Sequence, residues 1–149
     1  MSDLQAQIRD DLTAAMKARD KDVTGTLRML VAALQKEATN GSKHELTDDD
    51  VLKVVAHEVK TRNESAQIYL ENGRPELAEQ ERKEAAIIAR YQPRQLDDAE
   101  LTQLVQEVIA QTGSGMQNMG AAMKLAKEKA GNAASGKRLS EEVKRQLAG

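Results

Sequence analysis

Three stretches of this 149-residue chain carry residue types that could do chemistry. Gly131-Asn132-Ala133-Ala134-Ser135-Gly136-Lys137-Arg138 has the glycine and lysine spacing of a phosphate-cradling loop. That loop must end in Ser or Thr, whose hydroxyl holds the magnesium of the nucleotide, and it must follow a buried strand. Here Arg138 fills the last position and the preceding residues have helical spacing. The stretch reads as a connection whose Ser135 caps a following helix. His57-Glu58 would open a zinc-protease helix, but the second histidine is missing: position 61 is Thr61, and the only other histidine is His44. Asp48-Asp49-Asp50 lacks the alternating spacing and central glycine of a calcium loop. It suits the first turn of a helix capped by Thr47, where backbone N–H groups favour negative charge.

Nucleophilic chemistry has no better footing. There is no cysteine, and Ser65, Ser114, Ser135 and Ser140 sit in no nucleophile elbow. The carboxylates Glu79, Glu81 and Glu84 follow the pattern of an exposed helix face. No catalytic residue, cofactor or metal is expected, and no enzyme activity from the chain on its own.

Binding chemistry is the remaining class. The net charge of −2 is spread unevenly. Up to Gln92 there are 14 basic and 17 acidic residues, whereas Gly115–Gly149 holds 7 basic against 3 acidic. Lys124, Lys127, Lys129, Lys137, Arg138, Lys144 and Arg145 are therefore the candidate nucleic-acid-binding residues, set against the plainer reading of a solvated face. Met116, Met119 and Met123 are the candidate partner-binding residues, because Met adapts to irregular surfaces. The same spacing also suits core packing. With two tyrosines, no Phe and no Trp, stacking on unpaired bases is barely available.

The elements that must position these residues read as helices throughout. Stripes at helical spacing run through Leu4, Ile8, Leu12, Ala15 and Met16, then Val23, Leu27, Leu30, Val31 and Leu34. A third follows Thr47 through Val51, Val55, Val59 and on to Ile68, Tyr69 and Leu70. A fourth starts at Pro75 and is stopped by Pro93. After Asp97 come Leu101, Val105 and Val108, then a Met-rich helix from Met116, then Leu139, Val143 and Leu147. The expected fold is all-α: an N-terminal helical domain of about four helices, residues 1–93, and a three-helix tail domain, residues 94–149. No apolar stretch approaches membrane-spanning length, and the N-terminus lacks the apolar run of a signal peptide. No membrane partner is expected, and the expected location is the cytoplasm.

The order of these features resembles the YqeY family, whose C-terminal part is shared with the tail domain of the GatB subunit of the tRNA-dependent amidotransferase. The resemblance runs through Arg28, Lys36-Glu37-Ala38, Glu58 to Ser65, Glu84 and Tyr91-Gln92-Pro93-Arg94-Gln95-Leu96. It continues in Asn118-Met119-Gly120-Ala121-Ala122-Met123, the Gly131–Lys137 loop and Val143-Lys144-Arg145-Gln146-Leu147. Asn118 and Ala121 stand where the family usually carries Asp and Lys. The resemblance implies an accessory protein whose tail meets tRNA, beside an amidotransferase or another aminoacyl-tRNA-related protein that performs the carbon–nitrogen ligase chemistry. The competing expectation is a protein–protein adaptor that uses the Met-rich helix or an inter-domain groove and binds no RNA.

Overall fold

A computed structural model describes residues Met1–Gly149. It has seven α-helices: α1 (Asp3–Lys17), α2 (Lys21–Ala38), α3 (Asp48–Glu71), α4 (Pro75–Ala89), α5 (Asp98–Thr112), α6 (Met119–Ala130) and α7 (Gly136–Ala148). Short 3-10 turns, Met116–Asn118 and Gly131–Ala133, precede α6 and α7. There are no strands.

The helix starts are set by local chemistry. Ser2, Asp20 and Ser135 each accept a backbone N–H three residues on, which satisfies donors a helix leaves free at its start. Thr47 with Asp50, and Asp97 with Glu100, form reciprocal capping boxes. Pro75 opens α4, where its missing N–H costs nothing. Between α1 and α2 the chain turns through Arg19 at φ +57°, a left-handed conformation that ends the first helix.

The chain forms two compact units, Met1–Gln92 and Pro93–Gly149. The first holds α1 to α4. Its core joins Ile8, Leu27, Leu30, Leu34, Val51, Val55, Ile87 and Ile88, closed by Leu46 from the connection before α3. The second holds α5 to α7. Leu101, Val105 and Val108 pack with Ala122, Ala126 and Ala130, and with Leu139, Val143 and Leu147. Each set recurs at three- to four-residue spacing, so each helix turns one stripe inward. Alanines on α6 let its neighbours approach closely.

Three sequence expectations need adjustment. Met116 lies in the 3-10 turn ahead of α6, outside the helix itself. The fourth helix ends at Ala89, and a hydrogen-bonded turn carries the chain through Gln92 before Pro93 is reached. Ile68 and Leu70, expected on the packed stripe of α3, are 57% and 39% exposed.

Glu100 shows how tightly the start of α5 is tied. The Arg94 side chain donates to it at 2.9 Å, and the backbone N–H of Asp97 does so at 3.1 Å. Chiefly through the Arg94 bond, its carboxyl is pulled from the ordinary 4.5 to about 2. A carboxyl lowered on folding stabilises the fold above its unfolded value and ceases to do so as the pH falls through its folded value. The protection of the first-turn amides of α5 against hydrogen exchange should therefore weaken between pH 4.5 and about 2. Glu100→Gln should remove that pH dependence, and an unchanged profile in the variant would refute the assignment.

Candidate nucleic-acid interface

The candidate interface is built on α6 and α7. On α6, Ala122, Ala126 and Ala130 face the core, which turns Lys124, Lys127 and Lys129 outward. On α7, Leu139, Val143 and Leu147 do the same, leaving Lys137 and Lys144 exposed two turns apart. Glu128 on α6 and Glu141 on α7 lie among these lysines and are exposed too.

The seven basic candidates are not equivalent. The Arg138 guanidinium donates to Asp98 at 3.2 Å, in a pair whose carboxylate is fully exposed. Such a pair contributes no more than about 1 kcal/mol to stability, but it offsets the charge that a phosphate would meet. Arg145 grips Glu142 through two Nε contacts at 2.9 and 3.0 Å and a third, shorter contact from its terminal nitrogen. Glu142 is one of only three buried polar residues in the chain. The Arg145 bonds hold its carboxyl below the usual range, and the Thr102 hydroxyl lies within reach at 3.4 Å. Arg145 thus neutralises a buried charge, and Gln146 reinforces the same contact by donating to the Thr102 carbonyl at 3.0 Å. The five lysines, by contrast, pair with no acidic side chain.

The glycine-bounded loop before α7 is used by its carbonyls. Those of Asn132 and Ala133 accept from the Gln95 side chain at 3.0 Å and from the Leu96 N–H at 2.8 Å. A phosphate cradle would instead present N–H groups. Ser135 caps α7, its hydroxyl oxygen accepting the Arg138 N–H at 3.2 Å.

The methionines divide as well. Met119 and Met123 are half-buried against the core of the second unit, while Met116 is 52% exposed. A continuous exposed Met stripe is therefore not formed.

In the first unit, His57 and Glu58 line an open groove of about 580 Å³ along α2 and α3, together with Lys36, Glu37, Asp50 and Lys53. Glu58 is turned toward Arg62 at 3.1 Å, and no three His, Asp or Glu side chains are grouped to hold a metal ion. No helix is long and apolar enough to cross a membrane.

Two contacts carry no reading in the residue pattern alone. Arg62 is only 9% exposed. It pairs with Glu58 one turn earlier, touches the Met29 sulfur at 3.7 Å, and lies 3.9 Å from Glu84 on α4. Burial raises the Glu84 carboxyl more than the Arg62 charge lowers it. The Tyr91 hydroxyl donates to Asp11 at 2.6 Å, tying the chain after α4 to α1, and burial pushes the phenol well up. The i, i+4 spacing of Glu58 and Arg62 is visible in the sequence; the partners Glu84 and Asp11 are not.

A model of the family described as Yqey-like protein matches residues 5–147. An uncharacterized protein of Schizosaccharomyces pombe is 34% identical over 90 residues, covering 60% of this chain and 72% of that protein. Two proteins named altered inheritance of mitochondria protein 41, mitochondrial, also match. The one from Eremothecium gossypii is 29% identical over 60% of this chain and 49% of its own length. The one from Clavispora lusitaniae is 31% identical over 59% and 51%. The matched stretch thus spans about half the length of these two relatives. Their names correct the expectation of a cytoplasmic location. That expectation rested on the missing apolar run, which bears on secretory signals and not on mitochondrial transit segments, whose character is amphipathic and Arg-rich.

Proposed function

Because the chain belongs to the YqeY family, we propose that it is a non-catalytic accessory protein that meets folded RNA, tRNA above all, through the lysines of α6 and α7. In this reading it serves an amidotransferase or another aminoacyl-tRNA-related protein, and residues 94–149 act as the RNA-facing domain beside a domain of residues 1–93. The observation that carries the reading is the set of five exposed lysines without acidic partners. Both tyrosines lie before Pro93, so the second unit has no aromatic side chain to stack on a base. Recognition would then rest on phosphates and shape, with little sequence preference.

Unfractionated tRNA should be retarded by the full chain at about 50 mM salt, where screening of phosphate contacts is weak. Exchanging Lys124, Lys127, Lys129, Lys137 and Lys144 for Glu should abolish retardation while the helical circular-dichroism spectrum is kept. No retardation by the unaltered chain at that salt would sink the proposal.

A further inference from the structure

Arg62 on α3 is buried, and its donors are answered unevenly. A guanidinium carries five N–H donors in a fixed plane. The Arg62 Nη1 donates to the Glu58 carbonyl at 3.2 Å and to the Glu58 carboxylate at 3.1 Å. Its Nε has no hydrogen-bond acceptor, and the Glu84 carboxylate stands 3.9 Å away. Its Nη2 reaches the Met29 sulfur of α2 at 3.7 Å. A thioether is a weak acceptor, and a buried donor without a good acceptor costs stability. On the side of α2, sulfur thus answers a cation that would bind an oxygen more strongly.

Met29 is also open to solvent. It is 42% exposed, whereas Met119 and Met123 are half-buried. Of the six methionines, Met29 alone has its sulfur on a donor. One sulfur lone pair faces Arg62, and the second is left for reaction.

We propose that Met29 is an oxidation site: a hydroperoxide converts its thioether to a sulfoxide, and Arg62 then donates to the new oxygen. The sulfur lone pair attacks one peroxide oxygen, and the S–O bond forms as the O–O bond breaks. The departing hydroxide takes the proton left on the sulfur-bound oxygen. Sulfur is oxidised by two electrons, the peroxide is reduced by them, and water leaves. The rotatable Met side chain lets the oxygen turn to Nη2. Methionine sulfoxide ordinarily disrupts the packing around it. Here the effect has the opposite sign, because a strong acceptor is gained against a buried cation while an exposed side chain has little packing to lose. Oxidation therefore tightens the junction of α2 with α3.

The test treats the full chain with hydrogen peroxide and maps the products by peptide mass spectrometry. Met29 should be converted along with the exposed Met116, ahead of Met119 and Met123. Both tyrosines belong to Met1–Gln92, so tyrosine fluorescence follows that unit through denaturation. Its denaturant midpoint should rise on oxidation. The folding equilibrium constant should grow about tenfold, the scale of one hydrogen bond to a charged group. Met29→Leu should abolish the rise, because oxidation of Met1 and Met16 is common to both proteins. Met29→Gln, whose amide oxygen lies one bond beyond the position of the sulfur, should reproduce the rise without peroxide. In a chain carrying Arg62→Met, Glu58→Gln and Glu84→Gln together, adding Met29→Gln should leave the midpoint where it was. Met29 still reduced when Met116 is fully oxidised would overturn the proposal. So would a midpoint that falls or stays constant on oxidation, or a rise that persists in Met29→Leu or without Arg62.

Discussion

Arg62→Ala should destabilise the first unit by about 3 kcal/mol, the cost of leaving buried charge without its counter-ion. The side chain is 11% exposed, and the side chains of Glu58 and Glu84, its carboxylate neighbours, are 19% and 16% exposed. Removing the guanidinium leaves two desolvated carboxylates with water as their only recourse. Glu84 already carries part of that strain, because its burial raises the carboxyl despite the arginine. The unfolding is readily followed: Tyr69 and Tyr91 are the only aromatic residues, and both belong to Met1–Gln92. Tyrosine fluorescence therefore reports the first unit alone, and its denaturant midpoint should fall in the variant. Replacing the whole set, with Arg62→Met, Glu58→Gln and Glu84→Gln together, should recover most of the loss, since uncharged side chains need no counter-ion. A single variant as stable as the parent would show the cluster to be solvated in practice.

The second large effect concerns salt. Were the five lysines to meet tRNA phosphates as proposed, each contact would release counterions with a slope of about −0.9, so tRNA affinity should fall roughly 500-fold between about 50 and 200 mM salt. Changing any one of Lys124, Lys127, Lys129, Lys137 or Lys144 to Gln should reduce the slope by about 1. Arg138→Gln and Arg145→Gln should leave the slope nearly unchanged, because Asp98 and Glu142 already offset those charges. Arg145→Gln should instead loosen the second unit, since Glu142 is buried and loses its main donor. An equal slope change at all seven positions would mean that the two arginines leave their carboxylates on binding.

Much of the molecule was legible from residues a few positions apart. Thr47 ahead of three aspartates, Asp97 three residues before Glu100, and Ser135 before the last helix each proclaim a helix start, because a cap is satisfied within one turn. The stripes Leu101–Val105–Val108 and Leu139–Val143–Leu147 became core for the same reason: a helix fixes which residues share a face. The exposed lysines followed by exclusion from those faces. The departure of the glycine-bounded loop from the phosphate-loop pattern was also legible, since Arg138 stands where that pattern has a hydroxyl.

What the tertiary structure alone decided involves partners that are distant in sequence. Arg138 and Arg145 look like Lys124 and Lys144 in a charge count; Asp98, 40 residues earlier, sets Arg138 apart, and the burial of Glu142 sets Arg145 apart. Met119 and Met123 pack while Met116 does not, because the 3-10 turn breaks the helical phase between them. The buried stripe of α3 runs through Val51, Val55, Arg62 and Ala66, and Ile68, two residues past Ala66, points to the opposite side of the helix and meets solvent. Helical spacing states which residues lie on one side of a helix. Whether another helix covers that side depends on contacts across the fold, and on those contacts rests the lysine face.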